Sequence, residues 1–117
     1  MAYIEMKGPY LLTEKNIDEN VSESIGNYAL GYTYTNDNGV KKFHVQYVGR
    51  SDTNLNQRLK DHLEEGFAKF MFFHSKDVKT AYYEECDNYH VFNPEFNEIH
   101  PRKPDGQGSL KCPVCKS

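Results

Sequence analysis

Apolar and polar side chains alternate along two neighbouring segments in the first half of the chain, residues 27–35 and residues 40–48. This two-residue period is typical of a β-strand with one buried face. Between the segments lie residues 36–39, which end in Asn-Gly, and an Asn-Gly pair between two strands is a strong signal for a tight turn. The pattern therefore predicts a β-hairpin that ends at Gly49.

The next segment changes to the spacing of a helix. Leu55, Leu59 and Leu63 recur at four-residue intervals, which places them on one helical face. Residues 50–54 precede them and are rich in Ser, Asp, Thr and Asn, the side chains preferred at a helix N-cap. The sequence therefore predicts a first helix over residues 54–65.

A short apolar run over residues 67–74 predicts a buried strand. A second helix is expected to begin at Ser75 or Asp77 and to run to about residue 92, because Pro94 prevents its continuation. The prolines and glycines that follow are typical of loops. In this order the elements predict an α+β fold, in which a β-hairpin and a third strand are flanked by helices.

The chain has 117 residues, which is enough for one domain with its own hydrophobic core. We expect a polar lead segment over residues 1–25 with a helical turn or two after Thr13, a core over residues 26–97 and a tail over residues 98–117. No apolar run is long enough for a transmembrane helix, and the first residues lack the pattern of a signal peptide. A cytoplasmic protein without membrane contact is therefore expected.

The net charge of −3 argues against a protein that coats nucleic acid through bulk positive charge. The distribution of charge is more informative. Residues 41–62 carry a net charge of +3, residues 80–100 a net charge of −5 and residues 101–117 a net charge of +3. Basic segments on both sides of an acidic one are consistent with a local anion site beside a cation site.

Five side chains on the predicted elements can converge. Tyr28 and Tyr47 can share one face of the hairpin, Arg58 and His62 lie one helical turn apart, and Glu85 is in the second helix. A carboxylate can hold a divalent cation, a guanidinium can bind phosphate oxygens, and a phenol or an imidazole can take a proton from water. The set suits phosphodiester hydrolysis, although each residue type is also common in cores and on solvated surfaces.

Several segments resemble the GIY-YIG nuclease superfamily. Residues 26–28 (GNY) and 47–49 (YVG) are similar to the two motifs that name it. Residues 47–63 resemble its second strand, loop and first helix, and residues 81–86 (AYYEEC) resemble the helix that carries its metal-binding glutamate. Asn97 follows where the family often has Asn. The order and spacing of the pieces make the resemblance specific.

The resemblance implies a metal-dependent endonuclease that cleaves a phosphodiester by single-step displacement. Tyr28 and Tyr47 match the two motif tyrosines, of which one, most often the first, is the general base toward water. Arg58 matches the arginine that stabilises the phosphate in the transition state. Glu85 matches the ligand of a single Mg²⁺ or Mn²⁺ ion.

The resemblance also extends to residues around this centre. His62 matches a helical histidine that some members use near the scissile group, and Asn97 is expected to position the end of the site. Arg50 stands where excision-repair members often carry Lys, and Arg50 and Lys60 are the expected phosphate contacts. Asn27 departs from the apolar centre of the first motif, but this change removes no catalytic group.

A second group of side chains has the chemistry of a metal site. Cys112 and Cys115 form a C-x2-C knuckle, and Cys86 and His90 are four residues apart on the predicted second helix. We expect one structural Zn²⁺ bound by Cys86, Cys112, Cys115 and either His90 or His100. Such a site would clip the tail to the helix. A disulfide is less favoured because the three cysteines are an odd number.

The expected function is therefore a DNA endonuclease that binds its substrate weakly, with strong salt dependence, or with help from a partner protein. The alternative is a non-catalytic module on the same scaffold, with structural zinc. In that case a basic patch would contact nucleic acid or protein; its residues are Lys41, Lys42, Arg50, Arg58 and Lys60.

Overall fold

The computed structural model describes residues 6–97 and 99–116, and these residues form four strands and three helices. The elements follow one another in the order strand, helix, strand, strand, helix, strand, helix. Their bounds are β1 Lys7–Leu11, α1 Glu14–Asn20, β2 Gly26–Thr35, β3 Lys41–Ser51, α2 Leu55–Lys60, β4 Lys69–His74 and α3 Val78–Phe92.

All neighbouring strands are antiparallel, in the sheet order β1-β4-β2-β3. The predicted hairpin is formed by β2 and β3, and its turn contains Gly39 at a positive φ of 78°. The side-chain oxygen of Asn36 accepts hydrogen bonds from the Asn38 and Val40 amides and holds the turn closed. The predicted α+β fold is confirmed.

The sheet has one strand more than the sequence indicated. β1 lies at the edge beside β4, and it was not predicted because four of its five side chains are exposed and it contains Pro9, so no alternation is visible. α1 begins after Thr13, whose hydroxyl accepts a hydrogen bond from the Asn16 amide. α2 ends at Lys60, before the expected bound, and tighter turns follow it to Glu65.

Helices cover both faces of the sheet. Tyr28 and Leu30 of β2 point to the face where α1 and α2 pack, whereas Ala29 points to the opposite face, where Tyr89 and Phe92 of α3 pack. The larger core has eight buried members, which are Ile17, Val21, Tyr28, Leu30, Leu55, Leu59, Phe70 and Phe72. Because successive residues of β2 serve opposite layers, the first motif places groups on both sides of the sheet.

α3 ends at Asn93, which has the left-handed conformation with a φ of 46°, and the chain that leads to the tail begins there. The Phe96 amide then donates to the Gln46 carbonyl of β3, so the chain returns across the sheet edge. Farther along, Cys112 is buried against Tyr82 and Cys86 of α3. The chain that follows α3 therefore contacts both the hairpin, through Phe96, and α3, through Cys112.

None of the helices within residues 6–97 and 99–116 has the length and apolar character needed to cross a lipid bilayer.

Candidate active site and candidate metal centre

A cleft of about 460 Å³ opens where the hairpin, α2, α3 and the tail meet. Each of these elements contributes functional side chains to its lining. Six of the residues that line it were predicted from the sequence as catalytic or phosphate-binding residues, and they are Tyr28, Tyr47, Arg50, Arg58, Glu85 and Asn97. The structure thus brings the two phenols, two guanidinium groups and the carboxylate to one cavity.

Tyr28 lies at the base of the cleft and is only 1% exposed. Its ring is 6.2 Å from that of Tyr47, centroid to centroid. Burial raises the pKa of Tyr28 well above its usual value, and the neighbouring Tyr47 adds to this effect. The hydroxyl lies 2.7 Å from His62 Nε2. The Tyr28 hydroxyl is therefore protonated in the structure, and His62 Nε2 can accept a hydrogen bond from it.

His62 in turn lies 2.6 Å from a carboxylate oxygen of Glu65, through its other ring nitrogen, Nδ1. With the Nδ1 proton donated to Glu65, Nε2 is left as the acceptor for the Tyr28 hydroxyl. Glu65 was not among the predicted residues. Its position three residues after His62, on the same turn, is a signal that could have found it.

Glu85 projects from α3 and is 7% exposed. Burial raises its pKa to about 7, although the Arg50 guanidinium opposes this shift by donating a hydrogen bond of 2.6 Å to the carboxylate. Arg50 also donates to Asp52 at 2.8 Å. The predicted phosphate contact Arg50 is thus held between two acids, beside the group expected to bind a cation.

Arg58 and Lys60 leave α2 in different directions. The Arg58 side chain is exposed, lines the cleft and donates to the Arg50 carbonyl at 3.3 Å. Lys60 is not part of the cleft lining, and its ammonium forms an ion pair of 2.6 Å with Asp18. Of these two predicted phosphate-binding residues, the structure brings only Arg58 to the cleft.

Asn97 ties the start of the tail to the hairpin. Its amide oxygen accepts from the Val48 amide at 2.8 Å, and its amide nitrogen donates to the Val48 carbonyl at 2.9 Å. The side chain thus pairs with β3 as a neighbouring strand would. This pairing fixes the wall of the cleft next to Tyr47.

The polar residue in the first motif has a structural reason. Asn27 is one position from Tyr28 and therefore points to the opposite face, toward α3. Its amide nitrogen lies 3.2–3.3 Å from Ser75 Oγ, the Ala81 carbonyl and Glu84 Oε1. An apolar residue at this position would leave the buried Glu84 carboxylate with one donor fewer.

Four side chains of α3 and the tail form a second cluster. One ligand atom from each lies within 4.8 Å of the others, and the residues are His90, His100, Cys112 and Cys115. His90 Nε2 is buried and has no hydrogen-bond partner among the described residues, as expected for an atom that binds a metal. Two imidazoles and two thiolates are a donor set for a tetrahedral metal site.

This cluster differs from the predicted ligand set. It contains both His90 and His100, whereas the prediction took one of them, and it does not include Cys86. Cys86 lies one helical turn before His90 and is buried with Tyr82 and Cys112. Burial raises the pKa of its thiol.

The structure is an α+β domain with this cleft at the edge of its sheet, as expected for the family that the sequence resembles. The family model of the GIY-YIG catalytic domain matches residues 30–96, which is more than half of the chain. The protein therefore belongs to the GIY-YIG family. The matched span includes Tyr47, Arg58 and Glu85 and begins two residues after Tyr28. No curated protein and no solved structure gives a significant match.

Proposed function

We propose that this protein is a metal-dependent endonuclease that hydrolyses phosphodiester bonds of DNA. The observation that carries the proposal is the single cleft lined by Tyr28, Tyr47, Arg58 and Glu85. A general base, a phosphate-binding cation and a metal-binding carboxylate are the groups that such a hydrolysis needs, and they need to reach one phosphate.

In this proposal Glu85 holds one Mg²⁺ or Mn²⁺ ion, because these ions prefer carboxylate oxygens and keep several waters. The bound ion would polarise the phosphate and stabilise the leaving oxygen. Arg50 neutralises the Glu85 carboxylate in the structure. If Glu85 bound a metal ion instead, Arg50 would keep Asp52 as its partner.

Tyr28 acts as the general base with His62 behind it. The phenol gives its proton to His62 Nε2 while its oxygen takes a proton from the attacking water. The water oxygen forms a bond to phosphorus as the bond to the leaving oxygen breaks. Glu65 holds His62 in the required tautomer and stabilises the imidazolium that forms.

Arg58 contacts the phosphate oxygens on which charge develops. Its side chain is exposed at the cleft and its fork of donors suits two phosphate oxygens at once. Because the protein carries a net negative charge, we expect affinity for DNA to be weak and salt-sensitive, or to depend on a partner protein.

We further propose that the second cluster binds one structural Zn²⁺ through His90, His100, Cys112 and Cys115. Nitrogen and sulfur donors match zinc, and four protein ligands leave no open coordination position for catalysis. The orphaned nitrogen of His90 supports this assignment.

The proposal is tested by nicking of supercoiled, branched and single-stranded DNA in the presence of Mg²⁺ or Mn²⁺. Arg58→Ala is expected to slow cleavage by about a hundredfold, since one donor to a developing charge contributes on this scale. Lys76→Ala is the matched control, because it removes one exposed cation outside the cleft.

Equal cleavage by wild type and Arg58→Ala would place the activity at another site or in a contaminant. If the wild type cleaves none of the three DNA forms, the non-catalytic binding module becomes the better account.

A methyl group at Gly49 is expected to displace the proposed base. Gly49 lies opposite Tyr28 in the hairpin, and a Cβ built there would be 2.4 Å from the Tyr28 hydroxyl oxygen. Gly49→Ala should therefore reduce the rate of nicking tenfold to roughly a hundredfold, since small misplacements of reacting groups have effects of this order. Gly108→Ala is the control, because nothing lies within 4 Å of its Cβ position. Full activity of Gly49→Ala would show that the position of Tyr28 does not matter.

A further inference from the structure

The tail forms one wall of the cleft. Residues 99–103 and Asp105 line the cavity across from the hairpin and α3. Two cations in this stretch, Arg102 and Lys103, were not expected at the site from the sequence. They join Arg50 and Arg58, so that positive side chains line both sides of the cavity.

The same stretch is tied to the metal cluster. His100 belongs both to the cleft lining and to the group of four ligands. Backbone hydrogen bonds of the described residues 99–116 all remain within that segment, so none of them ties the wall to the sheet. Beyond Asn97, the wall is held to α3 by ring contacts of His100 with Tyr89 and His90 and by the buried Cys112.

The two cations are available for an anion. Arg102 is exposed, and within residues 6–97 and 99–116 no carboxylate lies within ion-pair distance of Arg102 or Lys103. The Lys103 ammonium donates to the Gly108 carbonyl at 3.4 Å, which still leaves two of its protons for other acceptors. Asp105 is the acidic residue on this wall.

We propose that Arg102 and Lys103 bind the DNA phosphates that flank the scissile one. Metal bound to the Cys/His cluster strengthens this binding, because it holds in place the cleft wall that carries both residues. This inference rests on the proposed nuclease function. In this inference the metal affects the affinity for DNA and takes no part in the chemical step.

The physical basis is the charge density of DNA, which carries about one negative charge per 1.7 Å of helix axis. A strand that presents one phosphate to Glu85 and Arg58 brings neighbouring phosphates to the walls of the cleft. Two additional cations at that position release two more counterions on binding, which raises both affinity and its salt dependence.

The test is DNA binding, measured by fluorescence anisotropy with a labelled duplex in a series of salt concentrations. Every protein carries Glu85→Gln so that the DNA stays intact. Adding Arg102→Ala and Lys103→Ala together is expected to weaken binding about tenfold and to reduce the salt slope by about 2, one for each phosphate that is no longer neutralised. Zinc content should not change.

The matched control is Lys76→Ala with Lys79→Ala, which removes two exposed cations around the start of α3, outside the cleft. It should leave affinity and salt slope nearly unchanged. An equal loss in this control would show a diffuse charge effect and would overturn the inference.

The role of the metal is tested in the same assay after zinc is removed with a selective chelator. The loss of affinity should match that of the Arg102 and Lys103 double variant, and chelation of that variant should add little, because both changes disable the same phosphate binding. An additive loss would contradict the coupling between the cluster and the wall.

The two proposals can fail separately. Binding that is indifferent to Arg102 and Lys103 overturns the inference and leaves the nuclease proposal intact. Binding that depends on them supports the inference even where the wild type does not nick DNA, an outcome that contradicts the nuclease. A complete absence of DNA binding contradicts both.

Discussion

Glu85→Gln is expected to reduce the rate of DNA cleavage by at least about a thousandfold without unfolding the protein. An amide has nearly the shape of the carboxylate but lacks the charge that holds Mg²⁺ or Mn²⁺. An ion held by Glu85 would supply several kcal/mol of charge stabilisation in the transition state, and about 4 kcal/mol corresponds to this change in rate. The measurement is single-turnover nicking of supercoiled DNA at saturating Mg²⁺.

The fold should tolerate this substitution. Burial raises the pKa of Glu85 to about 7 in the folded protein, above its usual value of 4.5, so the fold favours the protonated form. The stability contributed by this proton is complete below pH 4.5 and is lost as the pH rises through about 7. Above that pH the neutral amide avoids the cost of the buried charge, and Arg50 keeps Asp52 as its partner. The thermal midpoint of Glu85→Gln at pH 8 should therefore be no lower than that of the wild type.

Glu84→Gln is the matched control for this prediction. Glu84 is the preceding residue of α3 and is also buried, but it faces Ser75 and Asn27 and does not line the cleft. A glutamine oxygen can accept the same two hydrogen bonds. Cleavage by this variant should stay within a few-fold of the wild type. A similar loss in both variants would mean that α3 as a whole, and not the Glu85 carboxylate, supports the activity.

The part of the cleft built by local elements could be predicted from the sequence. Alternation and an Asn-Gly turn predict the hairpin, although the face shared by Tyr28 and Tyr47 depends on a β-bulge. The register counted from the turn would pair Tyr47 with Ala29, on the other face, whereas beyond the bulge Tyr47 pairs with Leu30. Helical spacing likewise fixes where Arg58 and Glu85 leave their helices. The partners of these groups were harder to find. Arg50 pairs with Glu85 because of the way α3 crosses the end of β3. The hydrophobic pattern of the sequence does not predict that crossing.

The Cys/His cluster of the structure differs from the ligand set that the sequence suggested, and the difference has a physical reason. Helical spacing puts Cys86 and His90 on one face of α3, so Cys86 was expected as a ligand and His90 as an alternative to His100. The direction in which the tail returns decides between them, and the chain from Asn93 to His100 brings the tail to the His90 end. The positions of Arg102 and Lys103 in the cleft follow from the same path. A segment without regular structure leaves no pattern from which that path could be derived.

Loss of one thiolate ligand is expected to release the tail from the rest of the protein. Wild type should bind close to one equivalent of zinc per chain, and Cys115→Ser should bind much less, because a hydroxyl is a poor replacement for a thiolate on zinc. Metal bound only by the folded form contributes to folding directly, so the free energy lost is on the order of several kcal/mol. Elemental analysis measures the zinc. Trypsin should then cut rapidly after Arg102 in the variant and slowly in the wild type.

Cys86→Ala distinguishes the arrangement in the structure from the one that the sequence suggested. Cys86 is buried beside Cys112 but does not belong to the group of four, so its removal should leave the zinc content near one equivalent. His90→Ala should lower the zinc content, because His90 belongs to that group and its orphaned nitrogen would otherwise be satisfied by the metal.

The opposite result, zinc lost with Cys86 and kept without His90, would support the ligand set of three cysteines and His100. Wild-type protein with less than about half an equivalent, after expression with zinc present, would remove the metal from the account altogether, since occupancy near one is expected for a structural site. Packing of Leu110, Cys112 and His100 against α3 would then hold the tail without a metal.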